Sequence, residues 1–148
     1  MESDNSKIPL LRTKLHRPPV PADYVHRSRM LSHLEQRYNR PLTLVSAPAG
    51  YGKSILISSW LDTSKRPGAW LSLDEQDNDL RRWFAYFLSA VQTLFPVAAL
   101  ETLSMLKAPD LIKVPALADS LINDLDRLDA DLNVLGLLSG ELIIEGIV

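Results

Sequence analysis

Eight consecutive residues, Ala47-Pro48-Ala49-Gly50-Tyr51-Gly52-Lys53-Ser54, set two glycines ahead of a lysine and a hydroxyl. This spacing suits the holding of phosphate. Backbone N–H groups must converge on an anion, and small residues let the backbone come close. Gly50 and Gly52 are the positions able to take unusual dihedrals. A helix opening at Lys53 adds N-terminal amides and a favourable dipole. Lys53 would neutralise the β- and γ-phosphates of a nucleotide. Ser54 Oγ is the candidate Mg²⁺ ligand, for an ion that keeps several waters and takes few protein groups. The general pattern of such loops has glycine first, where this chain has Ala47.

The neighbouring elements are those such a loop requires. Leu42-Thr43-Leu44-Val45-Ser46 is short, apolar and partly β-branched, which predicts a buried strand. Lys53 to Leu61 reads as a helix with Leu56, Ile57, Trp60 and Leu61 on its apolar side. Strand, glycine-rich turn and Lys-Ser opening a helix form one unit. Upstream, four prolines among residues 1–25 exclude a regular helix and predict an extended arm. A helix is expected from Ser28, with Met30, Leu31, Leu34 and Tyr38 on one face, ending at Arg40-Pro41.

Downstream, Arg66-Pro67-Gly68 predicts a turn and residues 69–73 a second strand, followed by the acidic loop 74–78. Asp79 is placed to cap a helix whose wide apolar face runs from Leu80 through Trp83, Phe84 and Phe87 to Phe95. Pro96 stops it, and residues 97–109 read as a short helix and loop. Pro115 opens another helix reaching Leu128. This order predicts an α/β fold, a P-loop NTPase-like parallel sheet flanked by helices. Only two clear strands and one doubtful one, over 131–140, are found, so the sheet is expected to be incomplete. The chain divides on this reading into an arm (1–27), a P-loop nucleotide-binding part (28–131) and an atypical tail (132–148).

Composition narrows the function classes. The 148 residues are 46% hydrophobic and 23% charged, a globular balance with room for one domain. No cysteine is present, which removes disulfides and cysteine-ligated metals. His16, His26 and His33 are scattered and lack metal-ligand spacing. The first 54 residues carry nine Lys and Arg against four Asp and Glu, a balance of +5, and the remainder seven against fourteen, or −7. A basic first third attracts phosphates. A pI near 5.9, without basic residues interleaved with aromatics, argues against direct nucleic-acid contact. No apolar run reaches the ~18 residues of a membrane helix, and the polar N-terminus lacks a signal core. A cytoplasmic protein with no membrane partner is expected.

With these residues in view, the chain resembles a known family. Lys14-Leu15, the proline-rich arm, Val25-x-Arg27, a short helix, LTLVSAPAGYGKS and then WLSLDEQDND with an aromatic helix are similar to the N-terminal nucleotide-binding domain of the MalT-like regulators of the LuxR group, P-loop ATPases of the STAND class. The resemblance covers roughly residues 7–130 and includes the alanine at the start of the loop. It implies an ATP/ADP switch with Mg²⁺, in which nucleotide exchange gated by an inducer drives self-association and transcription activation. It also implies that Val25 and Arg27 contact the adenine. The family's sensor and helix-turn-helix parts have no counterpart among these residues.

One departure bears on catalysis. The family places an apolar run ending in Asp-Asp after a helix like 115–128, and a P-loop ATPase uses such an acid to orient metal-bound or attacking water. Here residues 131–140 supply the run without the acid; Glu141 and Glu145 come next. Three readings stand: a truncated or frameshifted chain foreign to the family after about Asp131, substitution by Glu141 or Glu145, and a nucleotide binder without hydrolysis. The corresponding functions are a nucleotide-binding module, a small stand-alone ATPase with a non-standard acid, and an interaction fragment without a nucleotide role. An incomplete sheet would leave the face of Trp83, Phe84 and Phe87 short of partners, giving marginal stability or self-association.

Overall fold

A computed structural model describes residues 9–37, 42–111, 113–128, 131–138 and 141–147; the side chains of 42, 43, 137, 138 and 141–147 lie outside that description. Five helices, α1 (Ser28–Gln36), α2 (Lys53–Thr63), α3 (Leu80–Gln92), α4 (Leu100–Lys107) and α5 (Val114–Asp126), accompany four strands, β1 (Leu42–Val45), β2 (Gly68–Leu73), β3 (Leu132–Leu138) and β4 (Glu141–Ile147). The sheet order is β1-β4-β3-β2.

The expected parallel arrangement is met only in part. β2 and β3 pair in parallel, Gly68 opposite Asn133 through Leu73 opposite Leu138. β4 runs antiparallel between β3 and β1. Chain length explains this: two residues separate β3 from β4, enough for a hairpin, whereas a parallel crossover needs a dozen or more. β1, β2 and β3 consequently point the same way, and the segments following β1 and β2 leave from the same end of the strands, at opposite edges of the sheet. The doubtful strand over 131–140 is β3. No strand was expected over 141–147.

Strand alternation divides the core between the two faces. Ala69, Leu71 and Leu73 of β2, with Leu132 and Val134 of β3, pack with Phe84, Phe87, Leu88 and Val91 of α3, Leu106 of α4 and Leu117 of α5. Trp70 and Leu135 turn to the other face, against Leu34 of α1 and Leu56, Ile57 and Trp60 of α2. The shortage of partners expected for the aromatic face of α3 is thereby corrected. Phe84 and Phe87 are buried, while Trp83, half-buried, stacks on Phe87 at 5.3 Å and meets Phe84 edge-on at 5.0 Å. The arm helps to cover them, since Leu10 and Leu15 pack against the same cluster.

Several local expectations are met in detail. Asp79 caps α3, its carboxylate accepting from Arg82 N at 2.9 Å. Pro115 stands in the first turn of α5, where its missing N–H costs nothing. Arg81 donates to the carbonyls of Leu106, Ala108 and Asp110, satisfying the C-terminal end of α4. The described part of the arm departs from an extended course at a 3-10 turn over Arg12–Leu15 and at a turn closed by Tyr24 N on Pro21 O at 3.1 Å.

Candidate functional site

β1 ends at Val45, and the chain then makes the glycine-rich turn into α2. Gly50 has φ +85° and Gly52 φ +74°, the left-handed conformations these positions were expected to supply. Gly52 is the N-cap of α2, and no side chain caps that end. The first amides of a helix have no intrahelical acceptor, and here no capping side chain takes its place, which suits them to an anion. Nothing lies within 4 Å of the position a Cβ would take on Gly50. The loop fits a phosphate on these grounds.

Lys53 opens the helix and is buried, with 9% of its surface exposed. Its Nζ donates to the carbonyls of Ala47 and Pro48, the latter at 3.1 Å. Both acceptors are neutral and belong to the loop itself. Ser54 stands half-buried in the first turn, while Pro48, Ala49 and Tyr51 are exposed. Tyr51 N donates to Pro48 O at 3.4 Å, a weak closure of the turn.

Arg27, at the N-terminus of α1, is brought to the loop. Its Nη1 donates to Tyr51 O at 3.0 Å, and a Cβ on Gly52 would lie 3.5 Å from its Nη2. Val25 is 77% exposed and has no described contact with the loop. The side chains of Glu141 and Glu145 lie outside the described residues; their backbones belong to β4, with Glu145 opposite Val134 and Leu42. Among the described residues no three His, Cys, Asp or Glu side chains are grouped to hold a metal ion.

A second polar centre, missed by sequence reasoning, lies at the same end of the strands, after β2. Asp74 and Asp77 bracket a 3-10 turn as a reciprocal capping box: Gln76 N donates to Asp74 Oδ1 at 2.9 Å, and Asp74 N donates to Asp77 Oδ2 at 3.0 Å. Lys14 of the arm reaches both carboxylates, Asp74 at 2.9 Å and Asp77, and its Nζ stands 5.2 Å from the centre of the Tyr86 ring. Burial lowers the Lys14 pKa, but hydrogen bonds and charge from Asp77 and Asp74 outweigh it and leave the pKa raised. The hydrogen bond from Lys14, followed by that from Gln76 N, holds the Asp74 carboxyl below its ordinary value. The one sequence signal was the acidic run itself; its cationic partner is 60 residues away.

Comparison with known proteins bears on one stretch of the chain. Over 83 residues it is 42% identical to the HTH-type transcriptional regulator MalT of Yersinia pestis (strain Pestoides F), and equally to that of Yersinia pseudotuberculosis serotype O:3 (strain YPIII) and of Serratia proteamaculans (strain 568). The match takes in 56% of this chain and 9% of each relative. No family model matches. The resemblance to MalT-like regulators is thus shown at the level of sequence over that stretch. Among the described residues no helix is long and apolar enough to cross a membrane.

Proposed function

We propose that this chain is the nucleotide-binding module of a MalT-like, LuxR-type transcriptional regulator, holding ATP or ADP with Mg²⁺ on the loop Ala47–Ser54. The carrying observation is a buried lysine at a helix N-terminus whose described partners are two neutral carbonyls of its own loop. A cation so placed, beside uncapped amides, favours an anion that brings full negative charge.

In this reading Lys53 exchanges the Ala47 and Pro48 carbonyls for the β- and γ-phosphates. The amides that follow Gly50 and Gly52 donate to phosphate oxygens. Ser54 Oγ ligates Mg²⁺, which when bound screens the phosphate charge. Arg27 holds the outer side of the loop, and with Val25 it forms the approach to the base. Residues 1–27 act as an arm, 28–131 as the nucleotide-binding part and 132–148 as a tail. The site belongs to a cytoplasmic protein, and self-association is the expected consequence of the switch. Binding rather than turnover is assigned, because the apolar run over residues 131–140 is not followed by the Asp-Asp that the resemblance implies.

Thermal unfolding with and without Mg-ATP tests this. Saturation at a hundred times Kd stabilises by about 2.7 kcal/mol, a rise of roughly 5–10 °C for a chain of this size. An unchanged melting temperature, or a Lys53→Ala variant that responds like the parent, overturns the proposal.

A further inference from the structure

The arm does more than cover the core. Resting on the nucleotide-binding reading above, we infer that residues 11–27 form a strap that sets the shape of the phosphate loop, so that arm docking and nucleotide binding are coupled, with Arg17 as a positioning residue.

The strap grips the loop-and-helix segment at both ends. At one end Arg27 Nη1 holds Tyr51 O at 3.0 Å. A trans peptide is rigid, and its N–H points opposite to its C=O. Fixing the Tyr51 carbonyl toward Arg27 therefore aims the Gly52 N–H away from Arg27, and Gly52 is the left-handed residue that opens α2. At the other end Ser58, fully buried in α2, is held twice. Arg17 Nη1 donates to Ser58 O at 2.9 Å, and Ser58 Oγ donates to Pro18 O. Arg17 Nη2 also pairs with Asp62 at 2.6 Å. Lys53 and Ser54 lie between the two grips.

The far end of the strap is latched by separate contacts. Lys14 reaches Asp74 and Asp77, and Leu11 N donates to Tyr86 OH at 3.1 Å. The strap thus spans from the segment after β2 to the segment after β1. Undocking it releases the Tyr51 carbonyl and the middle of α2 together. Linkage then requires reciprocity: if docking favours nucleotide by some factor, nucleotide favours docking by the same factor.

Trypsin reads the docked state. Cleavage of the Lys14–Leu15 bond requires the Lys14 ammonium to leave its carboxylates, while cleavage after Lys107, exposed at the end of α4, does not involve the strap. Mg-ATP is expected to slow cleavage after Lys14 about fivefold or more in the parent chain and to leave cleavage after Lys107 unchanged; in Lys53→Ala it is expected to change neither rate. Arg17→Ala should weaken Mg-ATP binding by a comparable factor at a temperature where it is folded; Asp62→Asn, at an exposed partner, provides a second variant. The inference is overturned if the parent binds Mg-ATP yet the Lys14 bond is cut at an unchanged rate, if both bonds slow equally, or if both variants bind like the parent. Absence of any Mg-ATP binding by the parent overturns the nucleotide reading and the coupling with it.

Discussion

Two lysines lie beside segments that leave the sheet at the same end of its strands, and their surroundings differ. Lys14 meets two carboxylates on a segment 60 or more residues away, one of them buried. Lys53 meets two carbonyls five and six residues away, in its own loop. The first cation is matched by full charge and closes a tertiary contact. The second is held by dipoles alone among the described residues, and its charge is left for something else. On the proposed reading of Lys53, a structural cation is told from a binding one by the charge of what it touches rather than by its burial.

Removing the buried acid tests the structural side most severely. Asp77→Ala strips Lys14 of one partner and Asp74 N of its acceptor, and should cost about 3–4 kcal/mol in a urea melt. A loss under 1 kcal/mol would show that the latch is not structural. Lys53→Ala is expected to behave in the opposite sense. It should lose about 2–3 kcal/mol of Mg-ATP binding free energy in a titration, while its melting temperature without nucleotide stays within a degree or two of the parent. A large drop in that temperature would place Lys53 with Lys14 as a structural cation.

Gly52→Ala sharpens the contrast within the loop. Its left-handed φ disfavours a side chain by about 1–2 kcal/mol, and the added Cβ meets Arg27. Both stability and nucleotide affinity should fall, whereas a variant with unchanged binding would show the loop conformation to be incidental. The smallest effect is in pH. The Asp74 pKa is depressed on folding, so its contribution is present above the unfolded carboxyl pKa, ~3.9, and lost as pH falls through the lower folded value. The Lys14 pKa is raised, so its contribution is present below ~10.4 and lost as pH rises through the folded value. Melting temperatures of the parent and Asp74→Asn should therefore differ at neutral pH and converge in acid. A constant difference across the acid range would remove Lys14–Asp74 as the cause.

What could be read from the chain was what is local. The glycine positions, the lysine at the helix start, the Asp79 cap and the second strand over residues 69–73 each depend on neighbours a few residues away. Contacts across 24 to 75 residues were not legible: Arg27 on Tyr51, Arg17 on Ser58, Leu11 on Tyr86. Proline density in the arm says only that a helix is excluded, not that a docked strap replaces it. β4 escaped because Leu142-Ile143-Ile144 is too short an apolar run to choose between strand and helix by period. The two-residue Ser139-Gly140 connection, which fits an antiparallel return, was the available signal.

The register of the sheet has a kinetic consequence. β1 hydrogen-bonds to β4 as its sheet neighbour among the described residues, with Leu42 opposite Glu145 and Val45 opposite Leu142. The strand that feeds the phosphate loop is thus fixed by partners about 100 residues later in the chain. Closing so long a loop is entropically slow relative to local contacts. During synthesis, α1 and α2 emerge and pack long before the β1 ladder can form, so the loop takes its final shape among the last events of folding.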